Sequence, residues 1–308
     1  MRFGWRAELM AMLSVRDLHH SYDASPALAG ISFDVERGET LGLLGPNGAG
    51  KSTTIHILCG LLRPRSGSVS INGQMDPSRA DVRRSLGFAP QSLAIYDELT
   101  AEENLTFFGR MYGLGGAALS ERVEKALQVA ALTDRRTSRV GTYSGGMKRR
   151  LNLACAIIHD PPILMLDEPT VGVDPQSRNL LFDTLAVMKA EGRTLLYTTH
   201  YMEEAQRLCD RVAIIDAGRI LDIGPVADLI ARHGGRSRVI ATFDVTPVVP
   251  DQLKAEVDDT TVRFESDDPV RDLALLQSPT ARLTALAINP PTLEDVFLNL
   301  TGRTLRDE

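Results

Sequence analysis

One short stretch of the sequence combines glycines, a lysine and hydroxyl side chains in the pattern of a phosphate-binding loop. The residues GPNGAGKST, 45 to 53, follow the apolar segment TLGLL and lead into the helix-like TTIHILCGLL. A strand, a glycine-rich turn and a helix N-terminus form the setting that such a loop requires. Glycines let backbone N–H groups face phosphate oxygens, and the helix dipole adds favourable charge. We expect Lys51 to reach the β- and γ-phosphates of a nucleotide and Ser52 to bind Mg²⁺.

Two adjacent acids end a second apolar segment, PILMLDEPT. Asp167, at the end of a buried strand, can hold Mg²⁺, usually through water, and Glu168 can orient or deprotonate an attacking water. In isolation such a pair is an ordinary strand-to-loop transition. Combined with the phosphate-binding loop, it favours a site that hydrolyses a nucleotide.

A serine and two glycines form a third unusual stretch, in GTYSGGMKRR. Neither a histidine nor an acid stands close enough in sequence to activate Ser144 as a nucleophile. Glycine pairs cost backbone entropy, so Gly145 and Gly146 indicate a place where bare backbone is needed. Because the phosphate-binding loop lies elsewhere, these residues must serve a second purpose.

Alternating strands and helices must position these residues. GISFDVERGE alternates apolar and polar residues, as a half-buried strand does. PILMLDE and RTLLYTTH are nearly continuous apolar runs, which is typical of parallel strands covered on both faces. Helix-like stretches occupy 147–159 and 176–190. The pattern predicts an α/β fold with a mainly parallel core sheet, preceded by antiparallel strands.

The composition changes near LIARHGGRSR, and a small α+β domain is predicted from the start of this stretch, at 229–308. Its expected strands are 237–245, 260–266 and 281–287, and its expected helices are 251–257, 268–277 and 292–301. Asp268 before a proline is typical of an N-cap, and Thr292 with Asp295 resembles a capping box.

Composition excludes several classes of protein. Of the 308 residues, 43% are hydrophobic and 24% are charged, as in ordinary globular proteins. The net charge of -6 argues against a general binder of nucleic acid or anionic membranes. Three cysteines, Cys59, Cys155 and Cys209, are too few for a disulfide framework and favour reduced, buried thiols in a cytosolic chain.

The chain is not expected to span a membrane or to carry a secretory signal. It has no run of about 18 apolar residues. The opening MRFGWRAELMAML contains charged residues and lacks a cleavage site of small residues. We expect residues 1 to 12 to be an N-terminal extension.

The three motifs together resemble the ATPase subunits of ABC transporters, over most of residues 13 to 225. This resemblance implies an ATP-binding domain at 13–228, with a helical subdomain at about 92–160. In that family the signature, here YSGGMKRR, closes over ATP held by the loop of the other subunit. Ser144, Gly145 and Gly146 would then offer a hydroxyl and N–H groups to a partner's γ-phosphate. Met147 departs from the glutamine that is common in the family.

The resemblance implies roles for four more residues. Tyr22 matches the aromatic that stacks on adenine, although packing is its alternative. Gln91 matches the glutamine that senses Mg²⁺ and the attacking water. His200 matches the switch histidine that contacts the γ-phosphate, with a purely structural histidine as the alternative. Asp174 matches the loop that crosses the dimer between the two sites.

The implied site comprises three overlapping sets of residues. The ATP-binding set is Tyr22, Gly45, Pro46, Asn47, Gly48, Ala49, Gly50, Lys51, Ser52, Thr53, Ser144, Gly145, Gly146 and Asp174. The Mg²⁺ ligands are Ser52, Gln91 and Asp167. The catalytic residues are Glu168, His200 and Gln91.

Some neighbouring residues have simpler interpretations. Arg149 and Arg150 are expected to lie on a solvated helix surface, with a contact to neighbouring phosphate or to the region around Asp167 and Glu168 as the alternative. Leu105, Phe108 and Met111 have helical spacing, which predicts core packing. The region from Ser92 to Leu114 as a whole is implied by the resemblance to receive a helix of a membrane partner.

YSGGMKRRL and PTLEDVFLNLTGR most resemble the ABC-2 exporter branch, which includes drug-resistance, polysaccharide, sodium and nodulation-type exporters. That implies a homodimeric motor on the cytoplasmic face of the membrane, with a separate ABC-2 permease, Mg-ATP as cofactor and no nucleic acid partner. A soluble ABC ATPase acting on DNA or ribosomes is the alternative. Such proteins usually carry a coiled coil, zinc cysteines or two nucleotide domains. A regulatory module with little turnover is a third possibility, against which Glu168 and His200 argue.

Overall fold

The computed structural model describes residues 11–23, 25–276 and 281–303. The chain divides into two units, Met1–Gly224 and Pro225–Glu308. Most of the expected N-terminal extension, residues 1 to 10, lies outside the described residues.

The first unit contains two sheets. Its strands are β1 Leu13–Tyr22, β2 Ser25–Val35, β3 Thr40–Leu44, β4 Ser66–Ile71, β5 Leu86–Ala89, β6 Ile163–Asp167, β7 Thr194–Thr199, β8 Arg211–Asp216 and β9 Arg219–Gly224. Six form a sheet in the order β5-β6-β7-β3-β8-β9, parallel except for the last pair. The other three form an antiparallel sheet, β2-β1-β4. The predicted α/β architecture is confirmed.

The central strands are apolar because both faces of the sheet are covered. All residues of β3, β6 and β7 are buried. Leu44 lies opposite Thr199, and Asp167 opposite Thr198, so the three strands end at one edge of the sheet. The loops that follow them therefore meet there, as ligand-binding loops do in open parallel sheets.

Helices complete the first unit. They are α1 Lys51–Leu58, α2 Ala80–Arg83, α3 Ala101–Met111, α4 Gly116–Val129, α5 Gly145–Ile157, α6 Pro175–Ala190 and α7 Met202–Leu208, with 3₁₀ turns at Thr133–Arg135 and Val140–Thr142. Among the described residues, we find no helix with both the length and the apolar character needed to cross a bilayer.

Helices α3, α4 and α5 share a separate hydrophobic core. Leu105 is fully buried in it and Phe108 packs against it, as predicted. Met111 is 69% exposed, so its expected place in the core is wrong. It is the last residue of α3, where the chain turns away before α4 begins.

The thiols are free and mainly buried, as expected of reduced cysteines. Cys59 and Cys155 are buried, and Cys209 is half-buried. Burial raises the pKa of the Cys59 thiol to about 12, which keeps it protonated and unreactive.

The second unit is built on an antiparallel sheet. Its strands are β10 Ser237–Phe243, β11 Glu256–Asp258, β12 Thr261–Ser266 and β13 Leu283–Asn289, and its helices are α8 Val226–His233, α9 Pro269–Ala274 and α10 Leu293–Thr301. The strand order is β11-β12-β10-β13. Asp268 caps α9, and Thr292 with Asp295 forms the predicted capping box of α10. Residue 277, the predicted end of the helix at 268–277, lies outside the described residues.

The helix predicted at 251–257 is wrong. A 3₁₀ turn, Asp251–Leu253, is followed by the short strand β11, in which Val257 pairs with Val262. Lys254 adopts a φ of 41°, which ends any helical path between the two. So short a helix is marginal by itself, and pairing with β12 wins.

Candidate functional site

The glycine-rich loop lies between β3 and α1, and its glycines are required by space and by backbone angle. A Cβ on Gly45 would lie 2.1 Å from the Ile215 carbonyl oxygen. Gly50 has a φ of 104°, and a Cβ there would lie 2.6 Å from the Ala27 oxygen. Only glycine meets both demands, so the loop can curl tightly against the end of the sheet.

Lys51 is held back against this loop. Its Nζ donates to the carbonyl oxygens of Gly45 at 2.7 Å and Pro46 at 2.9 Å. It also lies 3.0 Å from Oε1 of Glu168, and both side chains are buried. The ammonium group thus places a buried positive charge directly beneath the loop, paired with the acid that follows β6.

Asp167 and Ser52 face each other across the end of the sheet. The Ser52 hydroxyl donates to Oδ1 of Asp167 at 3.1 Å. The same oxygen accepts the Thr198 hydroxyl at 2.7 Å. A hydroxyl and a carboxylate so close together are the hard oxygen ligands that Mg²⁺ prefers, so the residues present fit this ion.

Glu168 adopts an unusual backbone conformation, with a φ of 44°. Non-glycine residues rarely occupy this region, and they do so mostly where function or packing holds them there. Its N–H donates to the Thr198 hydroxyl at 3.0 Å and is 3.2 Å from the Thr198 carbonyl oxygen. The backbone of Glu168 is thereby fixed against Thr198 of the neighbouring strand β7.

Three side chains converge on that carboxylate. Lys51 contacts Oε1, and Gln91 donates through Nε2 to Oε2 at 3.1 Å. Nδ1 of His200 lies 3.3 Å from Oε1. The loops after β3, β5, β6 and β7 therefore bring Lys51, Gln91, Glu168 and His200 into a single cluster.

Tyr22 ends β1 beside the start of α1. Its hydroxyl is 3.4 Å from Oγ1 of Thr53, and 49% of the residue is exposed. Its ring meets that of His20 edge to face, with centroids 4.9 Å apart. Much of the aromatic surface thus remains accessible next to the phosphate-binding loop.

The Ser144–Gly146 segment forms the N-terminus of α5. The Ser144 hydroxyl caps the helix by accepting from the Met147 N–H at 3.2 Å. Across the described ranges, no hydrogen bond or ion pair joins this segment to residues 45–53. The structure therefore does not bring these predicted site residues together with the loop within one chain.

The two glycines of this segment differ in their surroundings. A Cβ on Gly146 would lie 2.0 Å from the Ser177 hydroxyl oxygen, so packing against α6 explains this glycine. A Cβ on exposed Gly145 would meet only the Gly172 oxygen, at 3.8 Å. Packing within the chain leaves the absence of a side chain at Gly145 unexplained.

Arg149 and Arg150 are not a solvated helix surface, and that prediction is wrong. The Arg149 guanidinium donates to the carbonyl oxygen of Gln91 and, at 3.2 Å, to that of Val171. Arg150 donates to the oxygens of Ala130 and, at 3.0 Å, Ala131. Loop and helix-end carbonyls around α5 need donors, and these two side chains supply them.

Asp174 caps α6. Its Oδ1 accepts from the Ser177 N–H at 2.9 Å, and hydrogen bonds from that N–H and the Ser177 side chain lower the pKa of Asp174. The residue is exposed, on the loop that follows Glu168.

Sequence reasoning missed several residues that support the site. Thr198 contacts both acids, and Asn152 fixes the loop after Gln91 by accepting from the Ala94 N–H at 3.0 Å. Glu204 is a third such residue, and its side chain is buried. In the sequence each of them is simply a polar residue within an apolar or amphipathic segment. That pattern does not indicate which residue it contacts.

Comparisons with known proteins agree on one family. The family model described as "ABC transporter" matches residues 28–171. The linearmycin resistance ATP-binding protein LnrL of Bacillus subtilis is 40% identical over 96% of this chain and all of its own length. The Nod factor export ATP-binding protein I of Burkholderia lata is 41% identical over 97% of this chain and 99% of its own. A solved ATP-binding subunit of an ABC transporter superposes with a TM-score of 0.66 at 37% identity, covering 72% of this chain and 93% of its own.

Proposed function

The chain belongs to the ABC transporter family as an ATP-binding, ATP-hydrolysing subunit, and we propose that it is the homodimeric motor of an exporter. The observation behind this proposal is the convergence of Lys51, Gln91 and His200 on buried Glu168. The relatives named for linearmycin resistance and Nod factor export support the direction of transport. In this proposal residues 13–228 are the ATP-binding domain, and residues 229–308 are an accessory domain.

ATP would occupy the edge of the sheet where β3, β6 and β7 end. The N–H groups of residues 45–53 and the Lys51 ammonium would hold its phosphates, and Tyr22 would stack on adenine. Ser52 and Asp167 would hold Mg²⁺, with Gln91 nearby. When bound, that ion neutralises charge on the phosphates and orients them.

The buried ion pair between Lys51 and Glu168 gives a physical order to these events. In this structure the Lys51 ammonium group contacts two backbone carbonyl oxygens and the carboxylate of Glu168. An arriving phosphate would compete with these groups for the ammonium group. Glu168 is then released to orient and deprotonate a water, while Gln91 and His200 hold its position. The proposed catalytic residues are therefore Glu168, Gln91 and His200.

Each ATP would be enclosed by two subunits. Ser144 and Gly145 are exposed at the N-terminus of a helix of 13 residues, whose dipole favours a negative charge. The open space at Gly145 leaves room for a γ-phosphate bound to the other copy. Asp174 lies on the loop that would cross between the two sites.

The membrane subunit would dock on the helical subdomain, placing the chain at the cytoplasmic face of the membrane. Tyr96 and Phe107 are exposed there, with ring centroids 5.1 Å apart, and Met111 is exposed on the same helix as Phe107. An exposed apolar surface of this kind is typical of a protein-binding site. It follows Gln91 in sequence, so one segment of the chain would contact both the membrane subunit and the ATP site. We propose an ABC-2 permease, a separate chain, as this partner.

The whole proposal is tested by purifying the chain with and without the proposed membrane subunit. We expect ATPase activity that requires Mg²⁺, co-purification of the two chains, and ATP-dependent export from membrane vesicles. A chain that binds no membrane subunit, and whose ATPase responds instead to DNA or ribosomes, would contradict export.

Replacing Tyr22 with alanine should raise the ATP concentration required for half-maximal activity. Stacking of a base on an aromatic ring contributes about 1–3 kcal/mol, or roughly 5- to 150-fold in affinity. Tyr22→Phe keeps the ring and removes only the contact to Thr53, so it should resemble the wild type. An ATP titration decides: equal affinity in the wild type and Tyr22→Ala would return Tyr22 to a packing role.

A further inference from the structure

Glu204 is a buried carboxylate on α7, outside the set of residues expected to touch ATP. It is 2% exposed. Oε1 accepts the Thr170 hydroxyl at 2.6 Å, and Oε2 accepts the hydroxyls of Thr199 at 2.7 Å and Tyr197 at 2.8 Å. Burial and the neighbouring Glu204 carboxylate raise the pKa of Tyr197 well above its ordinary value, so that the phenol remains a donor.

A cationic and aromatic chain extends from the same carboxylate. Nε of Arg178 lies 3.5 Å from Oε1 of Glu204. The Arg178 guanidinium lies over the ring of Tyr201, 4.9 Å from its centroid. That ring in turn packs against His200, with centroids 4.1 Å apart.

The partners of Glu204 belong to the elements that carry the proposed catalytic residues. Thr170 is two residues after Glu168, and Thr199 immediately precedes His200. Arg178 lies in the first turn of α6, which Asp174 caps. One carboxylate thereby ties together the loop after β6, the end of β7 and the start of α6.

We propose that Glu204 is a positioning residue for ATP hydrolysis, which fixes Glu168 and His200 relative to each other. This inference rests on the proposed function, since it assigns a role within the same reaction. Both loops leave adjacent strands, and by themselves they would be free to shift independently. Glu204 links them at a point where water is excluded and hydrogen bonds are correspondingly strong.

Glu204→Gln tests the role with little change in shape. An amide has one acceptor oxygen where the carboxylate has two, so at least one buried hydroxyl loses its acceptor. We expect kcat to fall about 10²-fold, as for small displacements of catalytic groups, with ATP affinity kept within about twofold. Glu203→Gln, an exposed neighbour on the same helix, should leave both within about twofold.

Two further variants separate positioning from folding. Thr170→Val and Thr199→Val each remove one hydroxyl from the network and leave the carboxylate in place. Each should lower kcat and leave ATP affinity unchanged. The fall in kcat should be smaller in the Glu204→Gln background than in the wild type, because the residues act as one unit. Thermal unfolding is measured for every variant. The single variants Thr170→Val and Thr199→Val replace Glu204→Gln if that chain does not fold.

The outcomes distinguish this inference from the proposed function. A wild-type kcat retained in Glu204→Gln, or in both threonine variants, overturns the positioning role and leaves the motor function standing. If ATP affinity and thermal stability fall together with kcat, Glu204 has a structural role only, and the positioning role is again overturned. A wild type that does not hydrolyse ATP overturns the function itself.

Discussion

Glu168→Gln is expected to bind ATP normally, to lose turnover and to form a stable dimer in the presence of ATP. Removing a general base typically costs about 10²–10⁴-fold in rate. Glutamine keeps the size of the side chain, and Lys51 and the N–H groups of the phosphate-binding loop remain in place to hold the phosphates. The substitution also removes a negative charge close to the place where the γ-phosphate would bind, which stabilises the closed dimer. Because ATP is not hydrolysed, the dimer also does not reopen.

Size-exclusion chromatography with and without ATP, together with an ATPase assay, measures both effects. Glu203→Gln, at an exposed acid on α7, is the matched control and should behave as the wild type. Retained turnover in Glu168→Gln would remove Glu168 from catalysis. A variant that stays monomeric with ATP, in the presence of the membrane partner as well as alone, would contradict the dimer.

Gly145→Asp is expected to silence the ATPase without harming the fold. Space for the new side chain exists within the chain, because the nearest atom to its Cβ is 3.8 Å away. A carboxylate at the N-terminus of α5 is even favourable to that helix. Two unit charges 4 Å apart repel by about 4 kcal/mol near a protein surface, roughly a thousandfold in an equilibrium constant. The partner's γ-phosphate would meet that repulsion.

Gly145→Ala and Gly146→Ala are its controls. The first adds a methyl group without charge and should lower activity far less. The second places a Cβ 2.0 Å from the Ser177 hydroxyl oxygen and should lower the melting temperature, which Gly145→Asp should not. Full ATPase activity in Gly145→Asp would contradict an approach of phosphate to this helix end.

The main features of the fold were predictable because their signals are local. Apolar runs such as PILMLDE predicted buried parallel strands, and the strands are there. Parallel strands end at one edge of a sheet, so the proximity of Lys51 to Glu168 follows from that topology. The N-caps at Asp268 and Thr292 could also be predicted, because a capping side chain contacts backbone within four residues of itself.

Contacts made by tertiary packing were not predictable. Nothing near Arg149 in sequence indicates that it reaches the backbone of Gln91 and Val171. Glu204 looks like a solvent-facing residue of an amphipathic helix, yet it is buried and accepts hydrogen bonds from Thr170, Tyr197 and Thr199. The 251–257 segment became a turn and a strand because β12 offered a partner, which no local pattern reports.

The two glycines of the Ser144–Gly146 segment differ in a way that supports a site shared between two subunits. Packing inside the chain explains Gly146 and does not explain Gly145, and this supports the proposal that a ligand held by the other subunit approaches Gly145. The claim is that Ser144 and Gly145 of one subunit complete the site in which Lys51 of the other holds ATP.

Mixing two inactive variants, Lys51→Ala and Gly145→Asp, tests this claim most directly. Their heterodimer has one site with both lesions and one site built wholly from wild-type parts. A tagged heterodimer of wild type and Lys51→Ala is measured first, to establish that one intact site hydrolyses ATP. We predict that ATPase activity, absent from each variant alone, returns on mixing. With that control active and heterodimers shown to form, no recovery would contradict the shared site, because a site completed within one chain leaves every subunit with its own lesion.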